Sequence, residues 1–211
     1  MGRIYLVRHG QTAWNKARIF RGRRDVRLNE QGRREAARSA QALRDVNFKC
    51  LYASPLSRAR ETAEIIAAGR DLEIIPDSAF TDIDYGEWTE YWDVEARRKF
   101  GDQYKLWEDS PHLMKFPGGE SLEDVRRRSV SRLMGLAEQH AGEIIGVVSH
   151  RAVLKVLLCE AKGLDNSHFW KVPLDTCAIS ILDYAAGRLR VVAENDVAHV
   201  RTLAEHDSLD F

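Results

Sequence analysis

The sequence contains little cysteine, and the residues it has are scattered. The three cysteines are Cys50, Cys159 and Cys177, and no two of them form a C-x-x-C pair. An odd, widely spaced set excludes a disulfide framework and a C-x-x-C redox or zinc motif. Because Cys50 and Cys159 lie among apolar residues, we expect buried thiols in a reducing compartment, which favours a cytoplasmic location.

The chain also lacks an excess of either charge and a long apolar run. Lysine plus arginine and aspartate plus glutamate each total 32, so the net charge at pH 7 is +0. This balance argues against a general nucleic-acid-binding protein, which usually has a basic excess. Since Arg3 and Arg8 interrupt the first apolar stretch and no run is long enough to span a bilayer, neither a signal peptide nor membrane attachment is predicted.

A length of 211 residues with 44% hydrophobic and 30% charged residues is typical of one globular domain. Predicted strands and helices alternate along most of the chain, which favours a three-layer α/β/α sandwich with a mostly parallel central sheet. Strands are predicted at 3–8, 49–53, 72–75 and 144–149, with a C-terminal hairpin of 177–184 and 189–193. Helices are predicted from Asn29, from Ser54-Pro55 and over 90–109, 121–140 and 152–161, and the polar tail after Val200 is expected to be loosely held.

Two of the predicted strands end in the same residue types. The first runs into Arg8-His9-Gly10, where the glycine allows a sharp turn, and the fourth runs into His150-Arg151. A third strand ends at Ser54, shortly before Arg58. The carboxyl ends of parallel strands gather at one edge of a sheet, so these side chains are expected to converge.

This set of residues suits the chemistry of a phosphate ester. Arginine is the preferred partner of phosphate oxygens, and Arg8 and Arg58 would compensate the charge of a phosphate dianion. A neutral imidazole can attack phosphorus and form a phosphohistidine. A carboxylic acid such as Asp82 can protonate the leaving oxygen and later deprotonate water.

The stretch Leu6-Val7-Arg8-His9-Gly10-Gln11-Thr12, followed by Trp14-Asn15, resembles the signature of the histidine phosphatase superfamily, the phosphoglycerate mutase-like proteins. The resemblance covers nearly the whole chain. It continues through Gly22-x-x-Asp25-x-x-Leu28-x-x-x-Gly32, Ser54-Pro55-Leu56-x-Arg58-Ala59-x-x-Thr62, Tyr85-Gly86-x-Trp88, Pro117-Gly118-Gly119-Glu120-Ser121 and Val147-Val148-Ser149-His150. The order and spacing of these motifs make accidental agreement very improbable.

The resemblance implies a role for each matching position. His9 corresponds to the nucleophile, and Arg8, Arg58 and His150 complete the phosphate pocket. The positions that contact phosphate or the body of the substrate in relatives are Gln11, Thr12, Asn15, Arg21 and Gly22. Asp82 stands where relatives usually carry the glutamate that donates a proton. The resemblance implies no metal and no other cofactor, and a single domain with a helical lid insertion at about 89–120.

Several assignments stay open at this stage. Asp84 and Glu87 are rivals of Asp82 for the acid role. Arg151 replaces the glycine that relatives usually carry after the second histidine, and it adds a cation for substrate binding or points away. His199 faces the site or serves packing. Arg23, Arg24 and Arg27 form either a solvated loop or, with Arg21, a region that attracts phosphate.

The resulting hypothesis is a metal-independent phosphatase of the phosphatase branch, which hydrolyses a small phosphorylated metabolite through a phosphohistidine. Around 107–121 and 168–170 the chain has a looser similarity to metal-independent phosphoserine phosphatases. The alternatives are a cofactor-dependent phosphoglycerate mutase, which usually has a longer chain, and a regulatory module that binds phosphate without turnover. A homodimer is left open by the sequence.

Overall fold

The computed structural model describes residues 2–203, so most of the polar tail after Val200 lies outside the described residues. Within this range the strands are β1 Gly2–Arg8, β2 Cys50–Ala53, β3 Ile74–Pro76, β4 Ile144–Ser149, β5 Ile179–Ala185 and β6 Arg188–Asp196. The α-helices are α1 Ala13–Lys16, α2 Glu30–Ala42, α3 Ser57–Ala67, α4 Asp93–Asp109, α5 Leu122–Gln139 and α6 Arg151–Ala161. Short 3-10 helices lie at Ser78–Phe80, Gly86–Trp88, Pro111–Leu113 and Asn166–Lys171.

The strands of residues 2–203 form one sheet in the order β3-β2-β4-β1-β5-β6. The pairs β2–β3, β2–β4 and β1–β4 are parallel, and β5 and β6 add an antiparallel hairpin at one edge. In the β1–β4 pair Arg8 lies opposite Ser149, and in the β2–β4 pair Ala53 lies opposite Val148. These registers bring the carboxyl ends of the three central strands to the same edge, as predicted.

Two apolar cores cover the two faces of the sheet. Side chains alternate between faces along a strand, so Leu6 of β1 packs in one core and Val7 in the other. The larger core includes Leu133 of α5 and Leu154 of α6, and the smaller one includes Ala63 of α3. Helices therefore lie on both faces, which confirms the three-layer α/β/α prediction. Within residues 2–203 no helix is both long enough and apolar enough to cross a membrane.

The predicted helix starts agree with the structure except at α3. Asn29 caps α2 through Gly32 N, and Ser121 and Asp124 form the capping box of α5. The prediction that Ser54 caps α3 with Pro55 in its first turn is wrong, because the helix begins at Ser57 after Leu56. The hydroxyl of Ser54 instead bonds a histidine of the site, and Pro55 and Leu56 form a bend before the helix.

The segment between β3 and α5 carries most of the aromatic side chains near the site. Helix α4 is interrupted at Gly101, whose φ of 36° lies in the left-handed region that glycine tolerates. Trp88 stacks on Phe100 and Tyr104, with ring centroids 4.9 and 5.5 Å away. Trp107, in the second half of α4, packs against Trp170 at 5.0 Å.

Candidate active site

His9 and His150 lie side by side at the carboxyl edge of the sheet. The amide of His9 donates to Ser149 O at 3.0 Å, directly continuing the β1–β4 pairing, and Ser54 N donates to Val148 O at 3.0 Å. The ring centroids of His9 and His150 are 5.2 Å apart. Both imidazoles are fully buried. The strand ends singled out in the sequence therefore supply one compact group of polar side chains.

His9 presents a ring nitrogen that carries no hydrogen bond. Its Nδ1 lies 2.7 Å from Gly10 O, and a carbonyl only accepts, so Nδ1 carries the proton. Nε2 is then the basic nitrogen, and it has no hydrogen-bond partner within residues 2–203. Burial, followed by the charges of Arg58, Arg21 and Arg8, lowers the pKa of His9 well below its usual value. The ring is consequently a neutral imidazole at physiological pH, and the lone pair of its buried Nε2 accepts no hydrogen bond from residues 2–203.

His150 is held in the opposite tautomer. Arg58 Nε donates to His150 Nδ1 at 3.2 Å, so this nitrogen carries no proton. Nε2–H then donates to Ser54 Oγ at 2.7 Å. Burial and the neighbouring Arg58 lower the pKa of His150 well below its usual value. His150 is thus a neutral donor whose orientation is fixed by bonds at both nitrogens.

Arg58 connects the site to the loops that surround it. Its Nη2 donates to Asp82 Oδ2 at 3.0 Å and to Gly22 O at 2.8 Å, and its Nη1 donates to Arg24 O at 2.9 Å. With the bond from Nε to His150, four of the five guanidinium N–H groups are used inside the protein. Burial lowers the pKa of Arg58 to about 10, so it remains cationic. Arg58 therefore supplies charge and holds its neighbours in place.

Further arginines converge on the same place. Arg8 is buried and donates through Nη1 to Leu174 O at 2.7 Å. Burial, and then the charges of Arg21 and Arg151, lower the pKa of Arg8. Arg21 and Arg151 line the same pocket. Burial likewise lowers the pKa of Arg151 to about 10. Such a concentration of cations is suited to a dianionic ligand.

A small pocket opens beside Asp82, and a larger cleft lies outside it. The inner pocket is lined by Ile19, Phe20, Arg21, Asp82, Tyr85, Arg151 and Ala152. The outer cleft has a volume of about 280 Å³ and is lined by Arg18, Arg97, Tyr104, Trp107, Glu108, Arg151 and Trp170. Arg151 contributes to both. Burial and the charge of Asp82 raise the pKa of Tyr85 to about 12, so its phenol stays protonated.

Asp82 is the carboxylate that this arrangement brings to the histidines. It is 4% exposed, bonds Arg58, and places Oδ2 3.7 Å from His150 Nδ1. Its rivals lie elsewhere, since Asp84 bonds the amide of Gly86 and Glu87 is exposed. Oδ1 of Asp82 also accepts from Ile83 N, so the side chain orders the loop as well.

Some of the predicted substrate-binding residues are engaged with each other. Thr12 and Asn15 form the capping box of α1, and Gln11 Oε1 accepts from Asn29 Nδ2 at 2.8 Å. Gly22 contributes its carbonyl to Arg58 and has a φ of 48°, and a Cβ there would lie 3.0 Å from Ile83 O. Arg21, in contrast, lines the inner pocket directly. Gln11, Thr12, Asn15 and Gly22 thus shape the loops that carry the site.

The glycine of the first motif is required for a different reason from the one predicted. Gly10 does not have a positive φ. A Cβ on Gly10 would lie 2.4 Å from the carbonyl oxygen of Gly32, and one on Gly32 would lie 2.0 Å from Gln11 O. Close approach of two backbones, rather than a turn, therefore demands glycine at both positions.

The remaining open assignments are resolved by position. His199 Nε2 contacts Ser39 Oγ at 3.0 Å and Cys177 O at 3.2 Å, which is a packing role between α2 and the segment before β5. Arg23 pairs with Glu120 at 3.0 Å and Arg24 with Glu90 at 2.6 Å, and both are exposed, as is Arg27. Of the four loop arginines, Arg21 alone is buried.

Two features near the site were not predicted: the bond between Ser54 and His150, and the position of Lys155. Ser54 bonds His150, although its place at the end of β2 and inside a motif was a usable signal. Lys155, one turn after Arg151 on α6, is 2% exposed, with Nζ 4.7 Å from the Phe169 ring and 4.9 Å from the Trp170 ring. No pattern in the sequence marks this lysine, because it lies in an apolar run.

An α/β/α sandwich whose parallel strands end in paired histidines and buried arginines is the architecture of a protein that binds and transfers phosphoryl groups. The family comparison agrees: residues 4–197 match the model of the histidine phosphatase superfamily (branch 1), and the chain belongs to this superfamily. Among the residues described, no group of three or more His, Cys, Asp or Glu is placed to hold a metal ion.

Individual relatives cover most of the chain. Phosphoserine phosphatase 1 of Hydrogenobacter thermophilus is 31% identical over 200 residues, which is 95% of each chain. A 2,3-bisphosphoglycerate-dependent phosphoglycerate mutase of Mesorhizobium japonicum is 36% identical over 181 residues, 82% of this chain and 87% of the relative. The solved structure of Bacillus stearothermophilus YhfR has a TM-score of 0.91 and 32% identity, and covers 94% of this chain and 99% of the other.

Proposed function

We propose that the protein is a phosphomonoesterase that hydrolyses small phosphorylated metabolites through a phosphohistidine on His9. The observation that carries the proposal is the Nε2 of His9, which is buried, unprotonated and without a hydrogen-bond partner in residues 2–203, next to buried arginines. A buried polar atom without a hydrogen-bond partner costs free energy, and a catalytic role is one reason for a protein to retain it. Attack on phosphorus beside a cationic pocket is such a role.

In the first half-reaction His9 Nε2 attacks phosphorus and the ester P–O bond breaks. The leaving alkoxide takes a proton from Asp82, which lies at the inner pocket. The Nδ1–H···O bond to Gly10 stabilises the imidazole as it becomes positively charged during attack.

In the second half-reaction water attacks the phosphorus of the phosphohistidine. Asp82, now a carboxylate, removes the proton of that water, and the P–N bond to His9 breaks to release inorganic phosphate. The charges of Arg8 and Arg58 stabilise the negative charge that spreads over the phosphoryl oxygens in both transition states. The His150 Nε2–H adds to this where a phosphoryl oxygen replaces Ser54 Oγ as its acceptor. Because cationic side chains perform this task, the proposed mechanism needs no metal ion or other cofactor.

We further propose that residues 89–120 act as the lid that selects the alcohol part of the substrate. Tyr104 and Trp107 of α4 line the outer cleft, which supports this role. Arg21 and Arg151 would contact the substrate directly, whereas Gln11, Thr12, Asn15 and Gly22 act by holding the surrounding loops. The expected ligand is then a small phosphorylated metabolite in the cytoplasm, and not a nucleic acid or a membrane. The proposed mechanism takes place within one chain and is the same in a monomer and in a homodimer.

A phosphate-release screen tests the proposal. Purified protein is incubated with a panel of phosphorylated sugars, amino acids and hydroxy acids in the presence of a chelator. Release of phosphate from at least one compound is expected, together with an acid-labile phosphoprotein after rapid quenching. His9→Ala should lower turnover by about 10³-fold or more and abolish the phosphoprotein. Turnover that survives His9→Ala would contradict the nucleophile assignment.

A phosphoglycerate mutase is the second candidate, because a mutase is among the similar relatives. It would transfer the phosphoryl group of His9 to a second hydroxyl faster than to water. Incubation with 3-phosphoglycerate, with and without 2,3-bisphosphoglycerate, distinguishes the two. The phosphatase proposal predicts phosphate as the main product in both cases. Formation of 2-phosphoglycerate without phosphate would favour the mutase, and phosphate binding without either product would favour a regulatory module.

A further inference from the structure

Arg151 lies where the inner pocket and the outer cleft meet. It is the first residue of α6, immediately after His150, and it lines the inner pocket together with Asp82 and the outer cleft together with Trp107. Because Arg151 lines both cavities, a substrate that extends from one cavity into the other would contact its side chain. The proposed reaction places the phosphoryl group at His9 and the ester oxygen at Asp82, so the part that extends outwards is the leaving alcohol.

The guanidinium of Arg151 lies over an aromatic ring. It lies 5.3 Å from the centre of the Trp170 ring, where cation–π attraction and stacking orient it. Trp170 is itself fixed, because its Nε1–H donates to Trp107 O at 2.8 Å and its ring packs on Phe169 at 4.8 Å. An arginine that is oriented before binding loses less entropy when it bonds a ligand. Its fork geometry matches the two oxygens of a carboxylate or phosphate.

The outer cleft is also lined by Arg18 and Arg97, which are more exposed than Arg151. Arg97 forms an ion pair with Glu108 at 2.6 Å, and Arg18 pairs with Asp93 at 3.4 Å. Both arginines are largely exposed, so water screens their charge. Arg151 is mostly buried, and its pKa of about 10 leaves it charged at neutral pH. The charge of Arg151 therefore acts on the leaving group more strongly than the screened charges of Arg97 and Arg18.

From this arrangement we propose that Arg151 selects substrates whose leaving alcohol carries an anionic group, a carboxylate or a second phosphate, within a few bonds of the ester oxygen. The inference rests on the proposed phosphatase function and adds the substrate class. Arg151 is then a specificity-determining residue for the alcohol. The aromatic side chains Tyr104, Trp107 and Trp170 enclose the carbon skeleton beyond that contact.

The test uses substrates that differ by one charge. O-phosphoserine and phosphoethanolamine share the phosphate and the ammonium group and differ by the carboxylate, and glucose 1,6-bisphosphate and glucose 6-phosphate differ by the second phosphate. Wild type should prefer the anionic member of at least one pair. Arg151→Met should lower kcat/KM for that member by about 10- to 100-fold, mainly through KM, and change the other member by less than about 3-fold. Arg151→Lys should recover part of the loss.

Arg98→Met is the matched control, since Arg98 is an exposed arginine of α4 that lines neither cavity. This variant should leave the ratio of kcat/KM between the two members of each substrate pair unchanged. Thermal melting of each variant separates misfolding from a loss of recognition. An equal loss on both members of a pair in a folded Arg151→Met variant would overturn the inference, as would a wild type without preference for the anionic member. Absence of phosphate release from every substrate in the wild type would instead defeat the proposed phosphatase function, and the inference with it.

Discussion

At the scale of single residues, the two site histidines differ in their hydrogen-bond partners. These partners decide which ring nitrogen carries the proton, and therefore what each imidazole can do. His9 donates a hydrogen bond from Nδ1–H to a carbonyl, which leaves Nε2 as the unprotonated, basic nitrogen. His150 accepts a hydrogen bond at Nδ1 from Arg58 and donates one from Nε2–H. Both pKa values are lowered by burial, so neither ring is a cation at rest. One ring is thereby prepared to attack and the other to bind.

Asp82→Asn tests the acid role at the same scale. An amide cannot transfer the proton, so kcat/KM for an alkyl phosphate is expected to fall by about 10²-fold. The loss should be much smaller for p-nitrophenyl phosphate, because nitrophenolate leaves without protonation. Steady-state kinetics with both substrates measure the difference. A melting curve is needed as well, since the substitution removes the ion-pair partner of buried Arg58.

Asp84→Asn is the control for this experiment. Asp84 lies two residues further along, is partly exposed, and bonds the amide of Gly86. An asparagine retains an oxygen that can accept this bond, so both substrates should be hydrolysed at close to the wild-type rate. If Asp84→Asn showed the leaving-group dependence and Asp82→Asn did not, the proton donor would be Asp84.

At the scale of elements, the N-terminus of α2 is packed directly against the loop that follows His9. Gly32→Ala would place a Cβ 2.0 Å from Gln11 O, and backbone cannot rotate away as a side chain can. The variant is expected to lose about 2 kcal/mol of unfolding free energy and to lose activity as the His9 loop shifts. Gly135→Ala in α5 is the matched control, because nothing lies within 4 Å of its Cβ. It should gain about 0.5–1 kcal/mol. Urea unfolding of both variants measures this, and equal stability of the two would contradict the close contact.

The elements were predicted well where a hydrophobic pattern decided them and less well where competing hydrogen bonds did. The central strands and the convergence of Arg8, His9 and His150 follow from apolar runs that end in polar residues. Ser54 was misassigned because a Ser-Pro pair is a good helix start, and sequence alone does not reveal that His150 competes for the hydroxyl. The outer cleft could not be predicted either, since Trp107 and Trp170 are separated by 63 residues.

At the scale of the whole molecule, a net charge of +0 hides an uneven distribution. Arg8, Arg21 and Arg58 are buried within one site, where desolvation lowers the pKa of each, and the charge of Arg21 lowers the pKa of Arg8 and of Arg58 further. Burial of charge destabilises a fold, and the two cores on either side of the sheet offset this cost. Binding of a phosphate dianion should therefore stabilise the protein, because it neutralises charges that folding has brought together.

Lys155 lies one turn after Arg151 on α6, and its burial gives stability a pH dependence. Burial, followed by the charges of Arg151 and Arg8, lowers the pKa of Lys155 to about 6, and Cys159 and Asp175 oppose the shift. The unfolded chain keeps that proton up to a pKa of about 10.4. Between these two values the unfolded state binds one more proton than the folded state, so the free energy of unfolding rises with pH across this window.

Lys155→Met should remove this dependence while it preserves the length of the side chain and its contact with the Phe169 and Trp170 rings. The variant is expected to be more stable than wild type by on the order of 3 kcal/mol near pH 7, and the gain should shrink as the pH approaches 10. Urea unfolding at pH 6, 7.5 and 9 measures the difference in unfolding free energy between the variant and the wild type. Lys105→Met is the control, because Lys105 is an exposed lysine of α4 and its replacement should give no pH-dependent difference. A gain of equal size at all three pH values would show that the effect comes from packing, and that Lys155 does not change its protonation on folding.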